Sequence, residues 1–254
     1  GTLSEDERMW YICPAVKAWQ DHYVEAVRRT QRETGARAIY VDVFGYYATH
    51  LCYATDHGHE VPANTNTATT ELVRRLREVL PPDVALWSEY PLPDQSAPYI
   101  DGNIHYYPLN WHEFFSTTGD QLQRAPKVAP TPWNAYRFAF PGVRQFIFPC
   151  GSEDWSTESQ FAFFNGEALY DMGWSLYAPP VLRHLQRSLA LQHEYADCFS
   201  SDRPLIAVPT EQWEVYANAF PGQGRTVWTL FNARFTAVRG PVLALTHVPG
   251  ATYF

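Results

Sequence analysis

Positive charge is scarce in this chain: 19 lysines and arginines stand against 27 aspartates and glutamates, a formal net charge of −8. A nucleic-acid surface is normally basic, so no nucleic-acid partner is expected. No apolar run approaches the ~20 residues that a membrane span needs, and no membrane partner is expected either. The four cysteines, Cys13, Cys52, Cys150 and Cys198, are far apart and form no C-x-x-C pair. That spacing excludes a zinc knuckle or a CxxC redox motif and leaves buried free thiols as the first reading. There is no H-E-x-x-H, no G-x-G-x-x-G and no G-x-S-x-G, so zinc-protease, dinucleotide and serine-hydrolase readings lose their usual support. No unit of roughly 20–50 residues repeats. The chain starts Gly1-Thr2, with no Met and no signal peptide. It reads as processed or cut from something longer, and its compartment stays open.

What is present is a globular chain. Its 254 residues, 46% hydrophobic and 18% charged, can bury a full core as one large domain or one and a half. Aromatics are in surplus, at 16% with nine Trp and sixteen Tyr. Many belong in the core, but such a surplus also suits a cleft that stacks flat rings on the apolar faces of sugars. Trp87, Trp111, Trp133 and Trp155 are candidate platforms.

The stretch Ala38–Gly45, A-I-Y-V-D-V-F-G, is a near-continuous apolar run that predicts a strand buried on both faces, as in a parallel sheet. Trp10–Cys13 predicts a short strand before it. Ala15–Thr34 carries Val16, Trp19, Tyr23 and Val27 at helical spacing and ends at Gly35, so it predicts an amphipathic helix with a glycine C-cap. Tyr46–Ala68 is irregular. Thr69–Leu80 predicts a second helix, broken by Pro81-Pro82, and Val84–Tyr90 a second strand. Tyr99–Tyr107 and Gln145–Pro149 predict further strands. Asn110–Arg137 reads as loop with short helices. Glu158–Met172 predicts a helix that turns to strand near Ala168, and Pro180–Phe199 a strong helix. Beyond Ser201 four short strands are expected, at Pro204–Val208, Trp213–Ala219, Arg225–Phe231 and Val242–His247, with turns and no helix between them.

Alternating strands and helices followed by an antiparallel segment predict an α/β chain: a (β/α)8 barrel over residues 1–200, lacking its first strands, then the start of a β-sandwich over residues 201–254. Five or six barrel strands are legible where the complete fold has eight. A doubly wound open sheet is the alternative.

Ligands bind such folds at the carboxyl ends of the strands, and there the sequence places Asp42 and Glu89. Paired carboxylates flanking one bond are what glycoside hydrolysis requires. The following segment contains His50, Cys52, Asp56, His57, His59 and Glu60. His57 and His59 are assigned to substrate contacts rather than to a metal, because their spacing matches no zinc signature; no metal or other cofactor is expected. Asp101 and His105, four apart on the predicted third strand, share a face. Glu153 and Asp154 follow another strand, where acids can meet sugar hydroxyls. Tyr46, just past the first strand, joins this substrate-binding set together with Trp87.

The order Y-V-D-V-F-G, a long loop with H-G-H, a helix and then L-W-S-E-Y resembles the catalytic half of barrel glycoside hydrolases. Nearest in kind are an uncharacterised bacterial group of barrel glycosidases and, more distantly, endo-α-N-acetylgalactosaminidase and α-amylase-like enzymes. The run N-A-F-P-G-Q-G-R-T-V-W-T-L-F-N-A-R, ending at Arg234, is similar to the β module that follows such barrels. The resemblance implies Asp42 as nucleophile and Glu89 as acid/base, a retaining reaction and a carbohydrate substrate. It also suggests Glu153-Asp154 in place of those enzymes' third acid. Amylase-type enzymes carry an arginine two residues before the nucleophile; here that residue is Tyr40, which leaves the sugar open. The rivals are a carbohydrate-binding or scaffold protein on an inactive barrel and a metal-dependent hydrolase built on His50–Glu60. The oligomeric state is not legible.

Overall fold

A computed structural model describes residues 12–42, 44, 51–105, 132–148, 156–170, 179–234 and 236–253. The fold is mixed α/β, with a parallel sheet of five strands and a separate antiparallel sheet of three. The chain divides into two compact units, residues 1–104 and 105–254.

In the first unit, helix α1 (Lys17–Thr34) ends where Gly35 turns left-handed at φ +66° and its N–H caps the carbonyl of Gln31. Strand β1 (Ala38–Val41) follows. A short hairpin, β2 (Leu51–Cys52) with β3 (Ala63–Asn64), then leads into α2 (Thr65–Val79). This helix starts earlier than its apolar periodicity suggests, because the Asn64 side chain accepts the Asn66 N–H at 2.9 Å and caps it. Leu72, Val73 and Leu76 are fully buried on one face of α2. Each contributes about 1.5–3 kcal/mol by leaving water. The buried Gln20 joins α1 to its surroundings, donating to the Pro14 carbonyl at 2.7 Å and accepting from Arg75 of α2 at 3.0 Å. After α2 come β4 (Ala85–Ser88), a 3₁₀ turn at Asp94–Tyr99 and β5 (Gly102–His105). Strands β1 and β4 pair in parallel, Tyr40 opposite Trp87 and Val41 opposite Ser88. Strand β1 is not buried on both faces as expected: Ala38 and Tyr40, which alternate onto one face, are exposed, while Val41 on the other face is buried. Ile12 and Cys13 form no strand, and the rest of the predicted Trp10–Cys13 strand lies outside the described residues.

In the second unit, α3 (Ala135–Ala139), β6 (Arg144–Ile147), α4 (Ser156–Asn165) and β7 (Ala168–Leu169) come first. Strand β7 pairs in parallel with β6. The predicted last helix is two pieces, α5 (Pro179–Glu194) and α6 (Ala196–Phe199). The antiparallel sheet is β8 (Leu205–Val208), β9 (Val215–Pro221) and β10 (Thr226–Asn232). It packs on α4: the Phe164 carbonyl accepts from Asn218 Nδ2 at 3.0 Å and Thr229 Oγ1 at 2.6 Å, and Phe231 meets the rings of Phe161 and Phe164. The expected strand at Val242–His247 is absent. The Val242 carbonyl accepts one backbone bond, from Glu211, and a single bond without a ladder does not make a strand.

Candidate functional site

Asp42 and Glu89 each follow the last residue of a strand, β1 and β4, and those strands pair residue for residue up to Val41 opposite Ser88. The Glu89 N–H donates to the Val41 carbonyl at 3.1 Å, in the same register as the Ala85 N–H to the Arg37 carbonyl, and the chain leaves that register at the next bond, from the Tyr90 N–H to the Phe44 carbonyl at 3.3 Å. The two acids therefore leave adjacent strands at the same level, at the carboxyl end. Asp42 is exposed and Glu89 only 8% exposed, so the carboxyls occupy different surroundings. Tyr40 donates its hydroxyl to Asp42 at 3.4 Å. Tyr23 is pushed up to about 12, first by burial and then by the Asp42 charge, and it stacks on Trp19 and Phe44. Asp42 thus stands among aromatic rings.

Trp87 precedes Glu89 by two residues and is half-buried. Its ring covers the α-carbon of its register partner Gly102, where a Cβ would overlap the indole. Asp101 lies away from the carboxyl end. It comes just before β5, where its Oδ2 accepts from the Leu86 N–H at 2.7 Å and from Arg77 at 3.0 Å. Arg77 also donates to the Pro81 and Val84 carbonyls, so this carboxylate holds α2 to the start of β4.

In the second unit, His105 Nε2 lies 3.1 Å from Glu167 Oε2, and Asn134 Nδ2 donates to Glu167 Oε1 at 2.6 Å. The Glu167 side chain is fully buried. Nothing in the sequence pattern singled out Glu167, which sits between Gly166 and a two-residue strand. The buried Arg137 donates to the Phe199 carbonyl at 2.8 Å and is pushed down to about 10 by burial, with the Glu167 charge opposing that shift. Glu153, Asp154 and Tyr46 lie outside the described residues, as do Trp111 and Trp155. Trp133 is half-buried, edge-on to Tyr216.

His57 and His59 meet thiols. His59 Nε2 lies 3.5 Å from Cys13 Sγ, and His57 Nδ1 lies 3.4 Å from Cys52 Sγ. One donor atom from each of the four residues falls within 4.8 Å of the other three. The Cys52 thiol is pushed down to about 7, chiefly by the Ala54 N–H and further by Cys13, His59 and His57; burial pushes the Cys13 thiol up. The sequence reading had Cys52, His57 and His59 in one short segment but missed Cys13, which lies 39 residues earlier and joins them only in the fold.

A profile for a domain of unknown function (DUF6259) matches residues 2–89, a stretch that includes Asp42, Glu89 and the thiol–imidazole cluster. No curated protein matches the chain. Among solved structures it is similar to the ligand-free α-N-acetylgalactosaminidase NagBb from Bifidobacterium bifidum, with a TM-score of 0.54 and 18% identity over 87% of this chain and 34% of that one. The chain thus spans about a third of that protein's length. At that identity the likeness is one of fold alone.

Proposed function

We propose that this chain carries the catalytic carboxylates of a glycoside hydrolase. Asp42 is the nucleophile and Glu89 the acid/base. The observation that carries the reading is the register: the two acids leave neighbouring parallel strands at the same level. Neighbouring strands lie about 4.8 Å apart, close to the ~5–5.5 Å carboxyl separation of retaining enzymes. The difference between an open Asp42 and an enclosed Glu89 suits two distinct roles. Asp42 attacks the anomeric carbon while Glu89 gives its proton to the departing glycosidic oxygen. Water then attacks the glycosyl–Asp42 ester, returns a proton to Glu89 and releases the sugar with its configuration retained.

The five parallel strands are read as strands of a (β/α)8 barrel, and residues 201–254 as the start of a β-sandwich. Trp87 is the proposed sugar-stacking wall, and Tyr46, Glu153 and Asp154 are proposed hydroxyl contacts. Asp101 and His105 are read as supporting the fold, each within its own unit, and His57 and His59 as members of the thiol cluster. The similarity in fold to an α-N-acetylgalactosaminidase makes the aryl α-N-acetylgalactosaminide the first substrate to try. The test is a panel of aryl α- and β-glycosides of common hexoses and N-acetylhexosamines, run on the full-length protein. Turnover of one anomer supports the reading. Sugar binding with no turnover anywhere on the panel would point instead to a carbohydrate-binding protein.

A further inference from the structure

Four soft or borderline donors from two stretches of the first unit come together: Cys13 just ahead of α1, and Cys52 of β2 with His57 and His59 of the β2–β3 connection. Left-handed Gly58, at φ +72°, lets both imidazoles turn inward. We propose that these four side chains form a structural zinc site.

The geometry fits that ion. A tetrahedral zinc with Zn–S near 2.3 Å and Zn–N near 2.05 Å sets its sulfur and nitrogen ligands about 3.6 Å apart. The Cys13–His59 and Cys52–His57 S···N separations are 3.5 and 3.4 Å. The outer shell fits as well. His59 presents Nε2 to Cys13 while its Nδ1–H donates to the Glu60 carbonyl at 2.9 Å. His57 presents Nδ1 to Cys52 while its Nε2 faces the Asp56 carboxylate at 3.8 Å. A metal-bound histidine ordinarily turns its second nitrogen to a carbonyl or carboxylate in this way. Two thiolates with two imidazoles select zinc over the oxygen-seeking cations. Four protein ligands close the shell and leave no position for a reactive water, so the site is structural rather than hydrolytic. It ties the start of α1 to the hairpin that follows β1. Binding releases the two thiol protons. The site stands on its own donors, whether or not the protein cleaves glycosides.

Purified full-length protein, expressed with zinc supplied, is expected to carry about one zinc per chain at these four ligands. Replacement by cobalt(II) is expected to give the intense visible bands of a tetrahedral ion, with thiolate-to-metal charge transfer in the near ultraviolet. Cys52→Ser and His59→Ala are expected to lower zinc content or affinity roughly tenfold or more, whereas His22→Gln, at an exposed residue of α1, leaves it unchanged. Wild-type zinc content and the cobalt spectrum decide the matter even if a variant fails to fold. The proposal is overturned if the wild-type chain takes up no zinc, if cobalt shows an octahedral spectrum, or if non-reducing peptide mapping finds Cys13 and Cys52 joined as a disulfide.

Discussion

Gly102 shows how one missing methyl group decides a strand. Its α-carbon lies under the Trp87 indole, its register partner on β4. Gly102→Ala must displace a half-buried ring, an overpacking change that costs about 1–3 kcal/mol, measurable as a lowered midpoint in urea. Asp101 differs from the other acids at strand ends. Its carboxylate serves the Leu86 N–H and Arg77, and it is about half exposed. Asp101→Ala is therefore expected to lower stability by only about 1 kcal/mol. A Michaelis constant raised with stability unchanged would instead make Asp101 a substrate contact. Neither partnership can be read along the chain: Trp87 and Gly102, like Asp101 and Leu86, meet only because β4 and β5 pair. Asp42 and Glu89 were legible because each charge stands out at the end of its own apolar run. The thiol–imidazole cluster was legible only in part, since Cys52, His57 and His59 share one segment but Cys13 reaches them by folding alone.

At the scale of elements, local signals were reliable where the chain itself supplies the partner. Gly35 ends α1, and the Pro81-Pro82 pair follows α2, as their chemistry dictates. Where the partner is distant, the signal was weaker: Val242–His247 has strand composition but no ladder. One tie between elements has a pH signature. Asp197 on α6 binds Arg225, which precedes β10, and accepts the Gln223 N–H at 2.9 Å. Arg225 first, and then that N–H, hold the Asp197 carboxyl down at about 2, against roughly 3.9 in an unfolded chain. The unfolded state therefore takes up the proton first as pH falls. This tie stabilises the fold fully above about pH 4 and is lost as pH drops toward 2. The expected result is that Asp197→Asn flattens the acid limb of thermal midpoint against pH across that window, while an equally steep limb in the variant would remove Asp197 as its source.

For the whole molecule, the α/β class, the parallel strands and the separate antiparallel sheet were all legible from alternating patterns. The order of the strands was not, because it depends on pairings between distant segments. The central claim is that two carboxylates at the ends of adjacent strands divide one reaction between them. The most direct measurement compares full-length wild type, Asp42→Asn and Glu89→Gln on two aryl glycosides of the cleaved sugar, one with a good leaving group and one with a poor one. Asp42→Asn is expected to lower kcat/KM on both by roughly a thousandfold or more, in the range seen when a covalent nucleophile is removed. Glu89→Gln is expected to lose about 10²–10⁴-fold on the poor leaving group, the usual worth of general acid catalysis, and to spare the first step on the good one, which needs no proton. Equal losses on both substrates for Glu89→Gln, or activity that survives Asp42→Asn in a folded protein, would contradict that division of roles.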